Sequence, residues 1–269
     1  MADGVTVGKS ALDLFKLDGK VAVVTGGGRG LGRHSALALA EAGADVAICD
    51  LLTEESEATC AEIRALGRRA LFGRVDVTDR EQIDAFVAQV GSELGGLDIL
   101  VNNAAMPSLG VALEEIDDDD WQRSLNINIS SVFYVTKPVS RIMAASGRGG
   151  SIINMSSISG LVISNIFPRH NVEYCTAKAA IAHLTRGMAS EWAGHGIRVN
   201  AIAPGYIRTA QTAASAKFPE IVERIIASTP MKRYGHEDEL KGTVVYLASA
   251  ASSFMTGSVV VVDGGLTVW

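Results

Sequence analysis

The stretch Thr25-Gly26-Gly27-Gly28-Arg29-Gly30-Leu31-Gly32 decides the fold. It follows the apolar run Val21–Val24 and precedes a helical pattern, so it reads as a strand turning into a helix. Glycines 26, 30 and 32 have the spacing TGxxxGxG. The turn must be tight, must let backbone approach a pyrophosphate, and must pack a helix closely on a strand. Each demand excludes a side chain. The free N–H groups at the helix start then face the phosphates. Glycine turns also form ordinary strand–helix loops. Here the position at the head of a βαβ unit points to dinucleotide binding.

Outward from this turn, short apolar runs alternate with helical patterns to the end of the chain. Strands are expected at Val21–Thr25, Asp45–Asp50, Ala70–Val75, Asp98–Asn102, Ser151–Met155, Ile197–Ile202 and Ser258–Val262. Most are continuously apolar, as in strands covered on both faces. Helices are expected at 30–43, 53–66, 79–94, 117–145, 173–194, 211–228 and 236–249. The alternation predicts an α/β fold: a doubly wound, seven-stranded parallel sheet with helices on both faces. No stretch has a linker's composition, so residues 1–269 read as one domain, with 1–13 a loose N-terminal extension. Asp117–Asp120 lies where a helix should begin and reads as a cap with acidic residues near the positive end of the helix dipole; metal binding is the minor alternative.

Composition limits the function classes. The 269 residues carry 24 Lys and Arg against 30 Asp and Glu, a net charge of −6, which argues against a general nucleic-acid binder. A hydrophobic content of 48% excludes disorder for most of the chain. No apolar run approaches the ~20 residues of a membrane span, and no signal peptide is evident. Cys49, Cys60 and Cys175 are odd in number and widely spaced, which suits a reducing compartment; no metal site is expected. A cytoplasmic location follows as an expectation.

The second strand ends at Asp50, 25 residues after Thr25. A carboxylate there can accept hydrogen bonds from the adenosine ribose and would repel a 2′-phosphate, so NAD is the expected cofactor. Leu51 follows, where a basic residue could have held that phosphate. Arg29, inside the turn, works in the opposite direction.

Tyr174 and Lys178 are four residues apart in an expected helix and so share a face. A nearby ammonium favours the phenolate, as would an oxidised nicotinamide, so the pair can make a general base for an alcohol proton. Alone, this spacing is common. Together with the glycine turn, Asn102-Asn103-Ala104-Ala105, Asn128 within Asn126-Ile127-Asn128-Ile129, and Ser156-Ser157, it closely resembles the short-chain dehydrogenase/reductase family. Pro204-Gly205-Tyr206-Ile207-Arg208-Thr209 and Val262-Asp263-Gly264-Gly265 are similar to that family too. The resemblance runs from about Leu14 to Trp269.

The resemblance implies a single-domain Rossmann fold and assigns roles by position. Tyr174 would be the acid/base. Lys178 would hold the nicotinamide ribose and lower the tyrosine pKa. Ser157 would orient the substrate oxygen, with Ser156 the weaker candidate. Asn128 would kink its helix and hold a water linking Lys178 to solvent. Gly26, Arg29, Gly30, Leu31 and Gly32 would contact the cofactor, as would Asp50 and Leu51. Asp76 and Val77 would line the adenine, and Asn102 and Ala104 would run along the dinucleotide. Pro204, Gly205, Ile207 and Thr209 would border the nicotinamide. Two departures stand out: Ala105 replaces a usual glycine, and Tyr174 lies 17 residues after Ser157, a few more than is common.

The extra length falls in 163–171, which with 211–231 should wall the substrate pocket. Asn165, Arg169, His170 and Asn171 could contact hydroxyl groups there, and Arg169 or His170 a carboxylate; a solvated loop is the plain alternative. The chain is most similar to sugar, sugar-acid and polyol dehydrogenases of the family. That implies a small-molecule substrate; family members of this size are usually tetramers or dimers, so the resemblance implies a homo-oligomer, a homotetramer being the expectation with a dimer the alternative, with helices 117–145 and 173–194 at one interface. A ketoreductase of acyl-carrier substrates using NADPH is the enzymatic alternative. A dinucleotide-binding sensor or scaffold is the non-enzymatic one.

Overall fold

The computed structural model describes residues 8–107, 110–209, 212 and 217–268. Seven parallel strands form one sheet in the order β3-β2-β1-β4-β5-β6-β7. They are β1 (Val21–Thr25), β2 (Asp45–Asp50), β3 (Ala70–Arg74), β4 (Ile99–Asn102), β5 (Gly150–Met155), β6 (Ile197–Pro204) and β7 (Val259–Val262). Each boundary lies within two residues of the expectation. The chain winds outward from β1 to β3 and then crosses back to set β4 beside β1, pairing Val23 with Leu100. This reversal opens a crevice at the carboxyl ends of the strands, where open α/β sheets bind ligands.

Strand alternation divides the core in two. Ala22, Val24, Ile99, Val101, Ile153 and Met155 face one layer, formed by α1 (Gly30–Glu41), α2 (Thr53–Ala65) and α8 (Lys241–Ala248). Val21, Val23, Leu100 and Ile152 face the other, formed by α3 (Arg80–Leu94), α5 (Ser131–Ser146) and α6 (Val172–Trp192). Successive side chains on a strand point to opposite faces, so a strand buried on both must be apolar throughout. A third apolar cluster joins Ile158 and Ile166 to Ile221 and Ile225 of α7 (Pro219–Ser228), with Tyr234 and Leu266.

Three helices differ from expectation; one of them, the span 236–249, is a 3-10 turn over Glu237–Leu240 followed by α8. The span 117–145 is α4 (Asp118–Leu125), a π-helical turn over Asn126–Ser130, and then α5. Asp117 caps α4 by accepting from the Asp119 N–H at 2.9 Å. Phe133, although apolar, is exposed on α5. The helix expected over 211–228 begins only at Pro219; 211 and 213–216 lie outside the described residues, as do 1–7 of the expected N-terminal extension. Within 8–13, Ser10 and Asp13 hydrogen-bond to each other, and Asp13–Phe15 forms a short 3-10 turn.

Candidate active site

A cleft of about 1160 Å³ runs along the carboxyl ends of the central strands. That exceeds the ~300–1,000 Å³ usual for one small ligand and leaves room for a dinucleotide with a substrate. Its floor is the glycine turn. Gly26 (φ 64°) and Gly30 (φ 53°) adopt left-handed conformations that favour glycine. A Cβ on Gly32 would lie 2.0 Å from the Gly26 carbonyl oxygen. The first turn of α1 leaves the N–H groups of residues 30–32 without helical acceptors, directed at the cleft. This glycine cradle fits a pyrophosphate.

Asp50 closes one end. Its Oδ2 accepts from the Gly28 N–H at 2.9 Å, and its Oδ1 accepts from Leu51 at 2.7 Å and Leu52 at 3.1 Å. The carboxylate therefore binds the glycine turn to the start of α2 while bordering the cleft. Arg29 is exposed on the same wall, with Leu31, Leu51, Asp76 and Val77. Asp76 Oδ1 accepts from both the N–H and the hydroxyl of Thr78, at 2.8 and 2.7 Å.

Ser157, Tyr174 and Lys178 lie on this cleft with Ala104, Pro204, Gly205, Ile207 and Thr209. Ser157 follows β5, and one turn of α6 separates Tyr174 from Lys178. Burial pushes the Tyr174 phenol up to about 12, while a hydrogen bond with Ser157 pulls it back. Lys178 Nζ lies 5.4 Å from the Tyr174 ring centroid and donates to the Met155 carbonyl at 2.8 Å. Burial brings this amine down to about 8. The expected lowering of the tyrosine by its lysine is thus overridden in the protein by itself, because desolvation disfavours the charged form of each group. The Ser156 hydroxyl donates to the Lys178 carbonyl at 2.8 Å, which commits it to holding α6.

Several expected positions lie elsewhere. Asn102 points into the core: its Nδ2 donates to Thr136 Oγ1 and Asn154 Oδ1, both at 2.9 Å, and Asn154 Nδ2 donates to Thr185 Oγ1 at 2.9 Å. Its neighbour Asn103 borders the cleft, and Asn103 Nδ2 donates to the carbonyls of Thr25 and Gly26, each at 3.0 Å. Asn102 shares the face of Leu100, two residues back, and that alternation was the available signal. Asn128 is buried off the cleft wall, its Oδ1 accepting from the Met106 N–H at 2.9 Å. Asn165, Arg169 and His170 are not on the wall either. The Asn165 carbonyl accepts from Arg224, Arg169 sits 3.8 Å from Glu115, and the His170 ring pairs with the Ser164 carbonyl at 3.2 Å. Met106, Pro107, Gln122, Arg123 and Asn126 line the cleft, and sequence reasoning had not singled them out.

Residues 26–267 match the family model described as enoyl-(acyl carrier protein) reductase, and the match covers most of the chain. The protein is a short-chain dehydrogenase/reductase. Galactitol 2-dehydrogenase of Rhizobium johnstonii is 42% identical over 258 residues, which is 95% of this chain and 98% of the relative. Gluconate 5-dehydrogenase of Gluconobacter oxydans is 38% identical over 257 residues, 95% and 98% of the two chains. The crystal structure of a gluconate 5-dehydrogenase from Burkholderia cenocepacia, in complex with NADP and tartrate, superposes with a TM-score of 0.90 at 37% identity. It covers 97% of this chain and 100% of the other. This short-chain dehydrogenase/reductase is accordingly an oxidoreductase with a dinucleotide cofactor. Among its described residues, no helix is long and apolar enough to cross a membrane.

Proposed function

We propose that this enzyme interconverts a secondary alcohol and a ketone on a sugar, sugar acid or polyol, using NAD(H), with Tyr174 as the acid/base. The observation that carries the reading is the Ser157, Tyr174 and Lys178 set on the wall of the same cleft that Asp50 borders. Ser157 holds the substrate oxygen within reach of the Tyr174 phenol. Tyr174 takes the hydroxyl proton in oxidation and returns it in reduction. Lys178, fixed by the Met155 carbonyl, holds the nicotinamide ribose. A bound nicotinamide would supply the hydride chemistry at the carbinol carbon and, in its oxidised form, a positive charge that would favour the Tyr174 phenolate. The neutral phenol of the free protein is already a proton donor for ketone reduction.

The Asp50 carboxylate supports NAD. The NADP in the Burkholderia relative and the exposed Arg29 weigh on the other side. A homotetramer in the cytoplasm, built from one continuous domain over 1–269, is part of the same proposal. The test is a panel of polyols, sugars and sugar acids incubated with NAD⁺ and NADP⁺ in parallel and followed at the reduced-nicotinamide absorbance. NADH production from a secondary alcohol is expected. Silence with every alcohol and both cofactors refutes the reading. A strong preference for NADPH with acyl-thioester ketones moves the assignment to a ketoreductase.

A further inference from the structure

We infer that Gly160 and Ser156 are positioning residues: together they clamp the turn that carries Ser157 onto the backbone of Lys178, and so set Ser157 against Tyr174. The inference rests on the dehydrogenase reading above and adds to it two residues that act through others. Gly160 ends the 3-10 turn Ile158–Gly160, which Ser157 caps. A Cβ on Gly160 would lie 2.5 Å from the Lys178 carbonyl carbon, and 2.6 Å from both the Lys178 carbonyl oxygen and the Ala179 nitrogen. All three are backbone atoms inside α6, which cannot turn aside as the end of a flexible side chain would. Gly160 does not adopt a left-handed φ, so this position demands space rather than backbone freedom. The turn is therefore seated directly on α6, at the residue whose amine belongs to the Ser157, Tyr174 and Lys178 set.

Hydrogen bonds fix this seat. The buried Ser156 hydroxyl donates to the Lys178 carbonyl at 2.8 Å, while the Ser156 N–H donates to the Ile202 carbonyl of β6 at 2.8 Å. The Gly160 N–H donates to the Ser157 carbonyl at 3.0 Å. Lys178 in turn donates its amine to the Met155 carbonyl at 2.8 Å. Residues 155, 156 and 160 thus hold Lys178 by its amine, its carbonyl and its backbone surface, and Ser157 between them faces the cleft. Ser157 Oγ accepts from the Ser159 N–H at 3.1 Å, which leaves the hydroxyl proton to donate to Tyr174. A side chain at 160 would lift the turn off α6 and draw Ser157 away from Tyr174. The glycine cradle belongs to β1 and α1 and would stay in place. Misplacing a reacting group by about 1 Å can cost roughly a hundredfold in rate.

The experiment compares Gly160→Ala and Ser156→Ala with Gly187→Ala, a control in the same helix where a Cβ meets nothing within 4 Å. Each variant is assayed across pH with the alcohol of the panel above that the parent oxidises fastest, and is titrated with NAD⁺ and NADP⁺. Gly160→Ala should lower kcat/KM for the alcohol roughly ten- to a hundredfold. Ser156→Ala, which loses one hydrogen bond, should lower it roughly three- to tenfold. Both should bind the dinucleotide within about twofold of the parent. The Ser157 hydrogen bond favours the phenolate, so loosening it should move the rising limb of the oxidation profile to higher pH, by roughly half a pH unit or more. A merely structural defect would leave that limb where it is. Gly187→Ala should match the parent. Should Gly160→Ala fail to fold, Ser156→Ala decides by the same readouts. Variants as active as the parent, or activity lost in step with dinucleotide affinity and with the limb unmoved, overturn the inference and leave the dehydrogenase reading intact. A parent silent with every alcohol overturns the dehydrogenase reading and this inference with it.

Discussion

Replacing Gly32 by alanine should separate the glycine turn from its helix. The new Cβ would lie 2.0 Å from the Gly26 carbonyl oxygen and 2.4 Å from Asn103 Nδ2. Nonbonded carbon contacts settle near ~3.5–4 Å, so the start of α1 must move by about an ångström or more. Neither neighbour can yield freely. The Gly26 carbonyl accepts from Asn103 Nδ2, while the N–H groups of Asn103 and Ala104 donate to Thr25 Oγ1 at 2.9 Å. Moving one loosens the ends of β1 and β4 together. Overpacking of about 1–3 kcal/mol plus one lost hydrogen bond near ~1 kcal/mol gives roughly 2–4 kcal/mol. At ~2–4 °C per kcal/mol, the melting temperature should fall by roughly 4–16 °C. Dinucleotide affinity, read by fluorescence titration, should fall at least about tenfold, since the cradle N–H groups shift with the helix. The control is Gly91→Ala in α3, where a Cβ meets nothing within 4 Å; it should raise stability by about 0.5–1 kcal/mol. A Gly32→Ala protein that melts and binds like its parent, or a Gly91→Ala protein that loses as much, refutes the argument.

Three further outcomes are expected. Tyr174→Phe should lower kcat by roughly 10²–10⁴ while leaving dinucleotide affinity in place, measured by steady-state kinetics and titration. Lys178→Met should be inactive yet more stable than the parent at pH 7. Burial holds this amine at about 8 against an ordinary 10.5, so its charged form costs roughly 3 kcal/mol at pH values below 8. Less ~1 kcal/mol for the abandoned Met155 carbonyl, the gain is about 2 kcal/mol. Between pH 8 and 10.5 the unfolded chain binds more protons, so the parent's stability rises and the gap closes. Chemical denaturation at pH 7 and pH 10 reads this directly. Asp50→Asn keeps the shape but replaces one acceptor with a donor, so a backbone N–H among Gly28, Leu51 and Leu52 loses its partner. It should cost about 1–2 kcal/mol in melting experiments and move the ratio of NADP to NAD affinity roughly tenfold toward NADP.

The strands and the glycine turn were legible because each is local: an apolar run covered on both faces, and a turn whose φ angles admit little but glycine. The Tyr174–Lys178 pair was legible for the same reason, being one helical turn apart. What escaped reading depended on distant partners. The helix over 117–145 widens into a π-turn where Asn128 Oδ1 accepts from the N–H of Met106, a residue 22 positions earlier in sequence. Arg169 looks available in sequence, but its partner Glu115 arrives from beyond α4. Asn102 and Asn103 are chemically identical neighbours, and only the sheet's two faces distinguish them. The ionisation of Tyr174 depends on burial, which no spacing encodes.

The turn at Asn126–Ser130 has a consequence for how this chain tolerates insertion and deletion. There the Ser131 N–H reaches back to the Asn126 carbonyl, five residues away, so one surplus residue is absorbed without ending the helix. Asp119 and Arg123 face the cleft upstream of it, and Val135 and Val139 face the sheet downstream. The two halves are set to different rotational phases, about 100° from what an unbroken spiral would give. Removing one residue there would restore a regular spiral and swing one half off its target, so the gene should accept substitutions in this pentapeptide far more readily than a lost codon.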